Sequence, residues 1–235
     1  MNSTEIRRLD LGWYTMPAAS RLAGQKVVLC AYLIRYPGGL LLFDTGLRHG
    51  HAQTDEEFAP VLIRPLTGAL AEAGVTLSDI TAVANCHLHI DHCGGNPQFA
   101  GTPIFVQQRE LDALPELDYV LPEMVEFDGV LLAVHDGTAD VGAGVQIVPT
   151  PGHTPGHQSV LVQTGDGPVL LAGQAFDSAS DFGRALLTID VLAASEEAEA
   201  AASVPPWLSD LRELELQRVL FAHDTLTYRR ADRSS

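Results

Sequence analysis

Short apolar runs broken by proline and glycine recur along this chain, and a few helical stretches lie between them. Val27 to Tyr36 and Leu40 to Phe43 read as two strands, parted by the turn signal Pro37-Gly38-Gly39. Pro65 to Ala73 reads as a helix that ends at Gly74. Ile80 to Ala84 is a short strand leading straight into a histidine-rich run. Ile104 to Val106, Leu131 to Val134 and Val145 to Val148 continue the strand pattern. Gln158 to Gln163 and Val169 to Ala172 form a hairpin around Thr164-Gly165-Asp166-Gly167-Pro168. Ser195 to Ala202, acidic and alanine-rich, reads as a helix or a mobile surface segment. Pro205-Pro206 opens a last helix through Leu216, and Val219 to Ala222 is the final strand. The whole is a βα pattern in two halves without a solenoid repeat. Linker-like stretches are short, so residues 1–235 read as one α/β domain.

Composition narrows the function classes. A chain of 235 residues with 46% hydrophobic residues can build a sizeable core. Fourteen basic against thirty acidic residues give a formal charge of −16, a field that repels phosphodiester backbones and argues against a nucleic-acid partner. The N-terminal segment has arginines but no apolar core of a secretory signal, and no stretch approaches the length of a membrane span. The expectation is a cytoplasmic protein without a membrane partner, acting on a small molecule; its oligomeric state is left open. Cys30, Cys86 and Cys93 form no C-x-x-C pair and read as small buried hydrophobes, although Cys86 and Cys93 flank the histidine run.

The most informative segment is His87-Leu88-His89-Ile90-Asp91-His92, which holds three of the chain's nine histidines. Imidazole and carboxylate donors in this density suit zinc, which binds both at roughly 2.0–2.2 Å. Further candidate donors follow in Thr150-Pro151-Gly152-His153-Thr154-Pro155-Gly156-His157 and in Phe221-Ala222-His223-Asp224. Together with Asp44-Thr45-Gly46 and the trailing Gly94-Gly95, this ordered set resembles the signature of the metallo-β-lactamase-fold hydrolases.

That resemblance implies an αββα sandwich, with two similar halves around a metal cleft. It implies one metal site from His87, His89 and His153 and a second from Asp91, His92 and His223, loaded with zinc or with manganese, iron or cobalt. Two such metals would share a hydroxide and polarise a carbonyl. Asp44 is expected to accept a hydrogen bond from a ligand histidine. The segment after the T-P-G-H loop and the late F-A-H-D are most similar to the N-acyl homoserine lactonases, so the implied activity is opening of a lactone ring by metal-bound hydroxide. Thioester hydrolysis of the glyoxalase II or acyl-carrier type is the alternative, and a non-catalytic metal scaffold a further one.

Two positions depart from the lactonase pattern. The aspartate that bridges both metals in those enzymes corresponds to Gln174, and the tyrosine three residues later corresponds to Asp177. A neutral amide is a weaker donor than a carboxylate, so the second site is expected to bind its metal less tightly, unless Asp177 fills the bridge. Asp91 and Asp177 are the candidate catalytic carboxylates. His157 reads as a hydrogen-bonding or packing residue rather than a ligand, His49 and His51 as surface histidines, and His135 as a loop histidine. Trp13, Tyr14 and Met16 read as core or as the wall of an apolar pocket.

Overall fold

The apolar run after Lys26 alternates its side chains between two different cores, and this sets the layering of the molecule. The computed structural model describes residues 4–18, 20, 22–48, 50, 56, 58–59, 61–193 and 204–230. Seven strands form one sheet: β1 (Glu5–Thr15), β2 (Lys26–Tyr36), β3 (Gly39–Phe43), β4 (Val61–Ile63), β5 (Ala82–Ala84), β6 (Pro103–Gln107) and β7 (Leu131–His135). Their order is β4-β1-β2-β3-β5-β6-β7, and β3, β5, β6 and β7 run parallel. The second sheet contains β8 (Ala139–Gly142), β9 (Val145–Pro149), β10 (Gln158–Thr164), β11 (Gly167–Leu171), β12 (Arg218–Leu220) and β13 (Tyr228–Arg229), in the order β13-β12-β11-β10-β9-β8. Helices α1 (Leu66–Glu72), α2 (Ile90–Cys93) and α3 (Gln108–Ala113) accompany the first sheet, and α4 (Ala179–Ala193) and α5 (Pro206–Glu213) the second.

Successive side chains of a strand point to opposite faces. From β2, Leu29, Ala31 and Leu33 therefore enter the outer core with Leu66, Ala69 and Leu70 of α1. Cys30, Tyr32 and Ile34 enter the inter-sheet core against Val145, Ile147, Val160, Val162, Val169 and Leu171. A third core packs Leu161 and Leu170 on Phe182 of α4 and on Leu208 and Leu211 of α5. The result is the expected αββα sandwich. Strands covered on both faces need continuous apolar runs, which is why these segments were conspicuous in the sequence.

Several sequence expectations need correction. Glu5–Thr15 is an eleven-residue strand whose alternation of charged and apolar residues carries only one buried face. It had not been expected as a strand. The Ile80 to Ala84 strand is shorter, since Leu77–Asp79 forms a 3-10 turn closed by a Thr76–Asp79 capping box. The last helix stops at Glu213 rather than Leu216. Arg218–Leu220 is not the final strand, because β13 follows it. His135 ends β7 rather than lying in a loop. The segment Ser195 to Ala202 and the histidines His49 and His51 lie outside the described residues. No helix among the described residues is long and apolar enough to cross a membrane.

The parallel strands position the chemistry. Asp44 follows β3, the histidine run follows β5, Gln174 follows β11 and His223 follows β12. Backbone hydrogen bonds tie these strand ends across the sandwich: the Cys30 N–H donates to the Ala222 carbonyl at 2.9 Å, Ala222 N–H to Gly173 at 2.9 Å, and Gln158 N–H to Cys86 at 2.8 Å. Gly173 is required by close approach, since its φ is +56° and a Cβ there would stand 2.4 Å from Cβ of Cys86.

Candidate metal centre

Six sequence-predicted donors and Gln174 converge at this edge of the sandwich as two adjoining pockets. His87, His89 and His153 form the first, with their donor atoms within 4.8 Å of one another. His87, Asp91 and His92 meet the same limit, so His87 stands at the junction. His223 completes the second pocket, its Nε2 lying 3.2 Å from His92 Nε2 and 3.4 Å from Asp91 Oδ2. Gln174 enters it with Oε1 at 3.2 Å from His92 Nε2.

Hydrogen bonding at the outer ring nitrogens fixes which nitrogen faces each pocket. His223 Nδ1 lies 3.0 Å from the Val28 carbonyl, which can only accept, so the proton sits on Nδ1 and the lone pair on Nε2. His92 Nδ1 donates to Asp44 Oδ2 at 3.0 Å, the contact expected of Asp44. The other Asp44 oxygen accepts the Cys86 N–H at 2.8 Å. To make both contacts Asp44 adopts φ +67°, a left-handed conformation that aspartate tolerates better than most residues. His87 Nδ1 lies 3.1 Å from Cys86 Sγ, while its Nε2 is buried without a hydrogen-bond partner. His157 differs in using both nitrogens, Nδ1 on Thr150 Oγ1 at 2.9 Å and Nε2 as acceptor of the Gln174 N–H at 3.1 Å. It is a hydrogen-bonding residue, as its sequence context suggested.

Burial and neighbouring charge make these groups ready to bind a cation. Burial, then the adjacent histidines, push His87 well below the usual imidazole range. Burial lowers His89 to about 4 against an opposing pull from Asp91. Both shifts favour the neutral imidazole that a metal ligand requires. Burial opposes charge on Asp91, yet His92, His223 and His89 hold its carboxyl well below the ordinary range. Burial likewise opposes charge on His92, but Asp91, Cys86 and Asp44 raise it. Positive charge is thus favoured at the second pocket.

The spacing fits a metal as well. Tetrahedral zinc ligands at ~2.0–2.1 Å stand roughly 3.3 Å from each other. His153 Nε2 to His89 Nδ1 is 3.3 Å, and His92 Nε2 is 3.2 Å from both His223 Nε2 and Gln174 Oε1. An orphaned buried nitrogen, convergent lone pairs and this spacing together make the donor set one that accommodates divalent cations.

Asp177 stands one hydrogen bond further out: its Oδ1 accepts from the Gln174 amide at 3.4 Å. Gln174 is thus in contact with both His92 and Asp177. Two residues escaped the sequence reading. Glu110, 1% exposed, accepts the Leu88 N–H at 2.9 Å, the Thr154 hydroxyl at 2.7 Å and the Gly156 N–H at 3.0 Å, joining the loops that carry His89 and His153. Burial raises its pKa despite these three bonds. An acidic residue in the first turn of a helix is ordinarily a surface feature, so nothing in its context marked it. Tyr14 was read as core or pocket wall, and its hydroxyl donates to Asp91 Oδ2 at 2.7 Å. Trp13 instead lies under the Lys26 ammonium, 4.2 Å from the ring centroid, and Met16 packs against the outer core.

Comparison with known proteins agrees with this geometry. The Metallo-beta-lactamase superfamily family pattern matches residues 31–231. N-acyl homoserine lactonases of Bacillus sp and Bacillus cereus are 31% and 32% identical, each over 82% of this chain and 80% of the relative. A solved quorum-quenching N-acyl homoserine lactone hydrolase superposes with a TM-score of 0.75 at 25% identity, over 96% of this chain and 94% of that one. With the two-sheet sandwich, the ordered histidine motifs and the match over residues 31–231 in agreement, the chain belongs to the metallo-beta-lactamase superfamily.

Proposed function

We propose that this protein is a metal-dependent lactonase that opens rings of the N-acyl homoserine lactone type. The observation that carries the reading is the convergence of six donor side chains from both halves of the chain into two adjoining pockets, in a chain related over most of its length to lactonases. His87, His89 and His153 would hold one divalent cation; Asp91, His92 and His223, with the Gln174 amide oxygen, would hold the other. The imidazole-rich donor set suits zinc, and manganese, iron or cobalt have overlapping preferences. Such a cation supplies Lewis-acid polarisation of the lactone carbonyl and lowers the pKa of water.

The chain's own residues do the rest. Asp91 carries the formal negative charge of the second pocket and places Oδ2 between His92 and His223, 3.4 Å from each Nε2. Held well below the ordinary carboxylate range, it would stay charged through the reaction and serve as ligand and hydrogen-bond acceptor beside the reacting carbonyl. Asp177 accepts from the Gln174 amide and thereby turns the amide oxygen toward His92. Tyr119, half-buried, lies 6.3 Å from His89 and packs on the buried Phe58 at 5.8 Å, so an aromatic face stands beside the first pocket, where an acyl chain could rest.

The test is hydrolysis of a panel of acyl homoserine lactones, simple lactones, thioesters and phosphodiesters by chelator-treated and metal-restored protein. Lactones should give the largest kcat/KM, with no turnover after metal removal and recovery with zinc, manganese or cobalt. A larger kcat/KM on thioesters or phosphodiesters would remove the lactonase assignment while leaving the fold intact.

A further inference from the structure

Tyr14 reaches the second pocket from the opposite end of the chain, and the fold makes a specific provision for it. β1 loses register with β2 between Asp10 and Gly12, a bulge that re-aims the residues after it. Gly12 sits at φ +116°, and a Cβ there would lie 1.9 Å from the Leu62 carbonyl oxygen, so the bulge depends on glycine. Two residues later the Tyr14 side chain is buried, and its ring packs edge to face on Phe58 at 5.1 Å and on His223 at 6.1 Å. The ring is therefore held by packing, and the hydroxyl is delivered to one oxygen, Asp91 Oδ2, at 2.7 Å. That oxygen is the one lying 3.4 Å from both His92 Nε2 and His223 Nε2.

We propose that Tyr14 is a positioning residue of the second pocket, fixing through its hydroxyl the orientation in which Asp91 presents its carboxylate to a cation. A carboxylate can turn about its Cβ–Cγ bond and offer either oxygen along several lone-pair directions. A single neutral donor on Oδ2 removes that freedom, and it leaves the carboxylate charge intact. Hydrogen bonds to ligating groups of this kind typically set metal affinity by 10–100-fold. No such contact reaches the first pocket from Tyr14, so its effect is confined to one pocket.

The proposal rests on the assignment of the second pocket as a metal site, and the experiment separates the two. Cobalt is titrated into metal-free wild-type and Tyr14→Phe protein against a chromophoric chelator, with the visible cobalt bands recorded at each addition. The variant keeps the ring and its packing on Phe58 and His223. We expect two binding phases in wild type, and in Tyr14→Phe an unchanged first phase with the second weakened by about 10–100-fold and its bands altered. Two phases in wild type that Tyr14→Phe leaves unmoved would overturn the role of Tyr14 alone. Equal weakening of both phases would mark a general packing role and overturn it too. A single phase in wild type would remove the second pocket as a metal site, and the Tyr14 proposal with it.

Discussion

The two pockets share His87 and differ in almost everything else. The first is built from imidazoles alone and opens toward solvent, with His153 exposed and His89 half-buried. The second is walled in, with Asp91 6% and His92 1% exposed, and it contains a carboxylate and a neutral amide. Their supports differ in kind as well. Glu110 clasps the two loops that carry first-pocket histidines, acting on backbone N–H groups and a threonine hydroxyl. In the second pocket the supports act on the donor side chains themselves: Asp44 on His92, the Val28 carbonyl on His223 and Tyr14 on Asp91. The first pocket is thus neutral and shaped by its loops, whereas the second is charged and shaped ring by ring. With the Gln174 amide rather than a carboxylate beside His92, the donor set carries one formal negative charge, so two dications bound there would repel each other and the second to bind would be held less tightly.

The largest predicted effect comes from removing the shared residue. His87→Ala takes a donor from the first pocket and from the junction, and lactone kcat/KM should fall by about 1000-fold or more, ~4 kcal/mol of transition-state stabilisation. Steady-state kinetics with metal in excess tests this, and near-normal turnover would show that His87 is not a ligand. Asp44→Asn comes next. Asparagine tolerates the left-handed backbone at φ +67° but cannot accept from both His92 Nδ1 and the Cys86 N–H in the same way. The second metal should weaken by about 10–100-fold, with the first unaffected. Equal loss at both pockets in a metal titration would break the contrast drawn above.

Glu110→Gln should give a smaller and opposite pattern. The amide sets a donor against one of the N–H groups that Glu110 now accepts, which costs about 1–3 kcal/mol of stability. Affinity should fall about tenfold at the first pocket, since the support acts through loop backbone rather than on the ligand rings. Denaturant melts of the metal-free protein and a chelator competition would check both parts. An effect confined to the second metal would contradict the assignment of Glu110.

Much of this was legible in the sequence, and the misses have physical causes. Strands buried on both faces, such as Lys26–Tyr36, announce themselves as unbroken apolar runs; Glu5–Thr15 shows one face to solvent, and its charged residues concealed it. The histidine run was visible because several donor types crowd into one segment. Gln174 was visible through its place at the end of an apolar strand. Glu110 and Tyr14 were not, because each is an ordinary residue in its own segment and acquires a role only through partners 22 to 77 positions away. Asp177, the other candidate for a bridging carboxylate, accepts from the Gln174 amide, a pairing between residues three apart that the sequence alone did not reveal.

The central prediction is that the two pockets bind metal unequally, because Gln174 offers a neutral amide beside His92 where a carboxylate would add negative charge. It is tested most directly by titrating zinc into metal-free wild-type and Gln174→Asp protein against a chromophoric competitor, with lactone opening followed at each addition. Wild type should take up one zinc tightly and a second more weakly. Gln174→Asp should tighten the second and narrow the gap, because it adds a shared negative charge where an amide now stands. Two equally tight metals in wild type, unchanged by Gln174→Asp, would contradict the account, as would lactone turnover by the metal-free protein.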